Sequence, residues 1–206
     1  TDSNQQSGLS KEQIDSVIAL FSKGELDKAL GSANKLIKTS PNNSLLHNII
    51  GACFAGMGQL GSAVKSYEKA IEIDPSYAKA YYNLGNALHE LNLEGIGHLD
   101  DPVENYEKSI AIDPNFAEAH NNLGNVLKDS GRLQEAKISF EKALQINPSY
   151  VEAYYSIGIV LFDLGMFEDS MGSYQKAIEI NPYLTEAHNN LGNTYKEIGK
   201  LNESIK

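Results

Sequence analysis

Cysteine is almost missing from this chain. Cys53 stands alone among 206 residues, which excludes an internal disulfide framework and any multi-cysteine zinc site. Positive charge is also scarce: 17 Lys and Arg face 27 Asp and Glu, a net charge of −10. Nucleic-acid binders need a basic face, so this balance argues against that class. No apolar run approaches 18 residues, and no helical membrane span is expected. The start, TDSNQQSGLS, lacks the basic and apolar regions of a signal peptide. A lone thiol without such a leader makes the cytoplasm the expected setting. There is no Walker motif, no GxGxxG after a strand and no GxSxG elbow. No carboxylate pair is fixed opposite a nucleophile. The expected answer is therefore no enzyme, no cofactor and no metal.

Prolines are few, but their placing is regular. Five of the six stand at 41, 75, 114, 148 and 182, with gaps of 34, 39, 34 and 34. A fixed period of this length marks a repeat architecture. Taking each proline as third from the end of its unit gives units 10–43, 44–77, 78–116, 117–150, 151–184 and a truncated 185–206, after a disordered tail at 1–9. Gly51, Gly85, Gly124, Gly158 and Gly192 share the eighth position. Gly24, Gly58, Gly97, Gly131, Gly165 and Gly199 share the fifteenth, counting Gly97 after an insertion. Ala29, Ala63, Ala136, Ser170 and Ser204 share the twentieth, and Tyr67, Tyr106, Phe140 and Tyr174 an aromatic position.

Each position has a physical reason. Apolar residues recur at helical spacing between the prolines, as in Tyr81, Leu84, Gly85 and Leu88. The fifteenth residue must turn left-handed between two helices, which glycine does without a Cβ penalty. Proline ends the second helix. Small residues at eight, twenty and twenty-seven let helices approach, and the aromatics fill the remaining space. Each unit is thus an antiparallel helix pair, and pairs must stack to bury their apolar faces.

This pattern resembles the tetratricopeptide (TPR) repeat over residues 10–206. The fullest copy is AEAHNNLGNVLKDSGRLQEAKISFEKALQINP at 117–148. His47, Tyr81, His120, Tyr154 and His188 stand where the family often has Trp. The resemblance implies an all-α, right-handed superhelical solenoid of about six helix-turn-helix units. Its concave groove, lined by first helices, usually binds protein segments. Two departures stand out. The third unit is five residues too long, within HELNLEGIGHLDD (89–101), and Pro102 replaces the small twentieth residue. A longer loop and a late second helix are expected there, with Asp100 or Asp101 as N-cap. Lys206 falls inside the second helix of the sixth unit, so a longer protein is expected.

The resemblance also implies which residues line the groove. Position five reads Asn48, Tyr82, Asn121, Tyr155 and Asn189. Position six includes Asn83, Asn122 and Asn190, and position nine Asn86, Asn125 and Asn193. Asparagine is a mediocre helix former, because its side chain competes for backbone hydrogen bonds. Its recurrence mid-helix allows two readings. One is a ladder of amides for a bound backbone, similar to the repeat arm of protein O-GlcNAc transferases, whose NNLAN motif resembles NNLGN at 121–125 and 189–193. The other is a set of bridges between neighbouring repeats. Both can hold.

Carboxylate capture wants converging cations, whereas Lys79, Lys128 and Lys196 stand beside Glu118, Glu152, Glu186, Asp129, Asp163 and Glu197. A neutral or basic segment is the expected partner. His47, His120 and His188 are repeat equivalents, about 10 Å apart at least by helix packing, too far to share a metal. His89 and His98 flank the insertion without a ligand spacing. Leu91, Leu93, Ile96 and Leu99 in the insertion either pack on the neighbouring repeat or offer an exposed contact. The function expected is a scaffold that binds an extended segment. Alternatives are self-assembly through the C-terminal edge or the 89–101 loop, and the substrate-presenting arm of a larger glycosyltransferase-like enzyme.

Overall fold

The computed structural model describes residues 9–93, 95 and 102–204. The chain divides into two compact units, 1–113 and 114–206. The described residues form helices throughout. The first unit holds α1 (Lys11–Ser22), α2 (Leu26–Ile37), α3 (Ser44–Gly56), α4 (Leu60–Ile73), α5 (Ala78–Leu93) and α6 (Pro102–Ile112). The second holds α7 (Ala117–Asp129), α8 (Leu133–Ile146), α9 (Val151–Asp163), α10 (Phe167–Ile180) and α11 (Thr185–Ser204). Within each unit every helix packs on the next one in the chain.

Glycine sets the turn inside most pairs. Gly24, Gly58, Gly131 and Gly165 take φ of 71–74°. The following N–H then bonds back over the turn: Gln59 to Phe54 O, Arg132 to Leu127 O and Met166 to Leu161 O, each at 2.8 Å. Those bonds satisfy carbonyls that the helix end leaves open. Between pairs an Asx turn does the work. Asp74, Asn147 and Asn181 precede the prolines, and their side-chain oxygens accept from the N–H two residues on, at 3.0–3.1 Å. The histidines reinforce the same corner. His47, His120 and His188 donate through Nε2 to the carbonyls of Pro41, Pro114 and Pro182, at 2.9, 3.1 and 3.0 Å. They are structural staples.

The eighth-position glycine and the aromatic form a lock within each pair. A Cβ built on Gly51, Gly85, Gly124 or Gly158 would stand 2.5–2.9 Å from the ring of Tyr67, Tyr106, Phe140 or Tyr174. No real Cβ approaches so closely, so each ring owes its seat to the missing side chain. Ser109 replaces the alanine of positions 70, 143 and 177. Its buried hydroxyl finds no partner among the described residues, an arrangement that costs about 1–3 kcal/mol. Cys53 is buried among Leu46, Ile49 and Ile50, and burial pushes its thiol up, away from thiolate reactivity.

The structure departs from the sequence reading in four places. Part of the insertion lengthens α5, which runs 16 residues where α3, α7 and α9 run 13. The sequence HELNL carries no stop signal, so the helix continues and buries Leu91. A positive φ of 70° also falls on Gly95, which lies outside the glycine register. Gly97, His98, Ile96, Leu99, Asp100 and Asp101 lie outside the described residues, as does the tail at 1–8. Leu9, assigned to that tail, packs against the core of the first unit. Finally, α11 runs unbroken through Gly199. The late second helix does appear: α6 opens on Pro102 and spans 11 residues against 14 in α4, α8 and α10.

Candidate functional site

The groove positions lie on the first helices of the pairs, and the structure sorts them by burial. At position five, Asn48 and Asn121 are 6% and 5% exposed, so they add little to an accessible face. Tyr82 and Tyr155 are half-buried and Asn189 is exposed. Tyr82 rests on Tyr106, and Tyr155 on Tyr174, each with ring centroids 6.1 Å apart. The groove tyrosines are thus held by the rings of the glycine lock.

At position six the amides bridge repeats. Asn83 Nδ2 donates to Asn48 Oδ1 at 2.9 Å. Asn190 Nδ2 donates to the Tyr155 hydroxyl at 3.4 Å. Both pairs are 35 residues apart, one repeat plus one residue. The bridging reading of these asparagines therefore holds within each unit. Asn122 Oδ1 accepts from Asn121 Nδ2 at 3.2 Å.

Position nine depends on the aromatic behind it. Asn86 Oδ1 accepts from the Tyr106 hydroxyl at 2.7 Å. Phe140, the equivalent ring in the fourth repeat, has no hydroxyl. Asn125 Oδ1 instead takes a 3.3 Å bond from Ser156, and its Nδ2 has no donor contact among the described residues. In the fifth repeat Ile159 replaces the asparagine, and the Ser170 hydroxyl behind it donates to the Gly158 carbonyl at 2.7 Å. Burial pushes the Tyr174 phenol up to about 12, keeping it neutral at physiological pH. Asn193 is exposed and makes no hydrogen bond among the described residues.

Ile159, Phe162, Asp163, Tyr174, Asn190 and Asn193 line a cleft of about 210 Å³ between α9 and α11. Phe162, edge-on to Phe167 at 5.3 Å, was not singled out by the sequence reading. The acidic rows alongside are open: Glu118, Glu152, Asp163 and Glu186 are exposed. Lys128 pairs with its neighbour Asp129 at 3.5 Å. Among the described residues no group of three His, Cys, Asp or Glu is placed to hold a metal, and no helix is long and apolar enough to cross a membrane.

The family model for the TPR repeat matches residues 53–92, 96–131, 124–165 and 160–199. The chain belongs to the TPR family. Its fold class is the all-α solenoid that the repeats imply. The peroxisomal targeting signal receptor of Saccharomyces cerevisiae is 28% identical over 76 residues, 37% of this chain and 12% of that protein. The chain thus spans about an eighth of that relative's length. Among solved structures, MamA is 26% identical with a TM-score of 0.70, covering 81% of this chain and 94% of that one. YrrB, described as a TPR protein with an unusual peptide-binding site, is 21% identical with a TM-score of 0.69, covering 90% and 93%. That last likeness concerns the fold alone.

Proposed function

We propose that this TPR chain is a non-catalytic protein-interaction module that binds an extended polypeptide segment along its first helices. Position-nine amides contact the segment's backbone, and position-six amides hold the repeats in register. The observation that carries the reading is the contrast between positions. Asn83 and Asn190 bond into the preceding repeat, whereas Asn193 and the Nδ2 of Asn125 remain to serve a ligand. A mid-helix asparagine costs helix propensity, and at Asn193 no hydrogen bond among the described residues offsets that cost. The acidic rows favour a neutral or basic segment.

The test uses a peptide selected from a displayed random library against the full chain. Replacing Asn125 and Asn193 together by alanine is expected to weaken that peptide about tenfold, since each hydrogen bond contributes roughly 0.5–1.5 kcal/mol. Helical circular dichroism should not change. Unaltered affinity would remove the backbone-reading role.

Self-association is a second reading, favoured by α11. Tyr195 is 52% exposed, and among the described residues no atom lies within 4 Å of a Cβ built on Gly192. Light scattering over a dilution series decides it, a constant monomer mass counting against.

A further inference from the structure

We infer that the cleft between α9 and α11 is a specificity pocket for one basic side chain, lysine or arginine, of the bound segment. The inference rests on the groove reading above and adds the chemistry of what the groove selects.

The cleft is small. At about 210 Å³ it falls below the roughly 300–1,000 Å³ of a small-molecule site and is sized for a single side chain. Its lining is split. Ile159 and Phe162 supply an apolar wall, matched to the methylene stem of a long basic residue. Asp163 supplies the charge. It lies at the last turn of α9, is exposed, and no lysine or arginine pairs with it among the described residues. Asp129, one repeat earlier at the same position, has Lys128 at 3.5 Å. Asp163 has no such cation beside it among the described residues. Asn193 sits in the same cleft, one amide away from the segment's backbone.

Charge complementarity extends beyond the cleft. Across the groove positions of the second unit, Glu118, Asp129, Glu152, Asp163, Glu186 and Glu197 outnumber Lys128 and Lys196. A long acidic side chain would fit the same volume, but it would meet Asp163 as a like charge. A purely apolar one would leave the carboxylate covered and unpaired, at a desolvation cost.

The experiment is a phage-displayed random peptide selection against the full chain, repeated with Asp163→Asn and Asp163→Lys. Lysine or arginine is expected to dominate one position of the peptides selected by the parent chain. Asp163→Asn should erase that preference and weaken a selected peptide roughly fivefold, with little effect on its variant carrying norleucine at that position. Asp163→Lys should turn the preference towards Glu and Asp. Selected peptides without a basic position, or a preference that survives Asp163→Asn, would overturn the pocket while leaving the groove reading in place. If no peptide is enriched by the parent chain, both readings fall together.

Discussion

Truncating Phe140 to alanine is expected to lower stability by about 3–5 kcal/mol. The ring is wholly buried and seated against Gly124, where a Cβ would come within 2.8 Å of it. The cavity left behind has a glycine for one wall, so no neighbouring side chain lies ready to collapse into it. Urea unfolding of the full chain measures the loss. A second substitution identifies its origin. Gly124→Ala should recover part of the stability in the Phe140→Ala background, where the methyl enters the empty seat. In the parent chain it should destabilise. Additive effects in this double-mutant cycle would show that ring and glycine do not share one seat.

Gly158→Ala is expected to destabilise by about 1–3 kcal/mol, the cost of overpacking a filled core. The added methyl would stand 2.6 Å from the Tyr174 ring. That ring has little room to retreat, since it is 2% exposed and tilted against Tyr155 with centroids 6.1 Å apart. Helix propensity works the other way, favouring alanine by about 0.8–1 kcal/mol. Gly172→Ala on the partner helix α10 isolates that gain, because nothing lies within 4 Å of its Cβ. It should stabilise by roughly 0.5–1 kcal/mol. Thermal unfolding of the two variants should therefore move in opposite directions. A shared sign would mean that the close approach does not set the cost.

The repeat frame was legible because its signals are local. A left-handed glycine, a proline after an Asx turn and a small residue under a ring each leave a mark at a fixed offset. Gly58, Gly131 and Gly165 and the four glycine–aromatic locks follow from that frame. Where the frame is interrupted the marks mislead. No residue between His89 and Leu93 stops a helix, so α5 runs on to Leu93. Gly199 keeps its place in the register, yet α11 passes through it.

The recurrence of asparagine on the first helices was legible, but not the division of labour among those amides. One residue type fills positions five, six and nine, and a helix places these at different depths. Position five turns inward at Asn48 and Asn121. Position six reaches the preceding repeat, a contact foreshadowed only by the 35-residue spacing. Position nine is decided by a distant choice between tyrosine and phenylalanine in the second helix. Tyr106 engages Asn86, and Phe140 releases Asn125. Phe162 escaped notice because an apolar residue near a helix end reads as core.

The most direct test of the account is a titration of the full chain, isotopically labelled, with a library-selected peptide, following the asparagine side-chain amide signals by NMR. The account expects Asn125 and Asn193 to move first and furthest, with Asn48 and Asn121 nearly still. A peptide that binds yet leaves Asn125 and Asn193 unmoved, while perturbing the exposed Tyr195 face of α11, would contradict it.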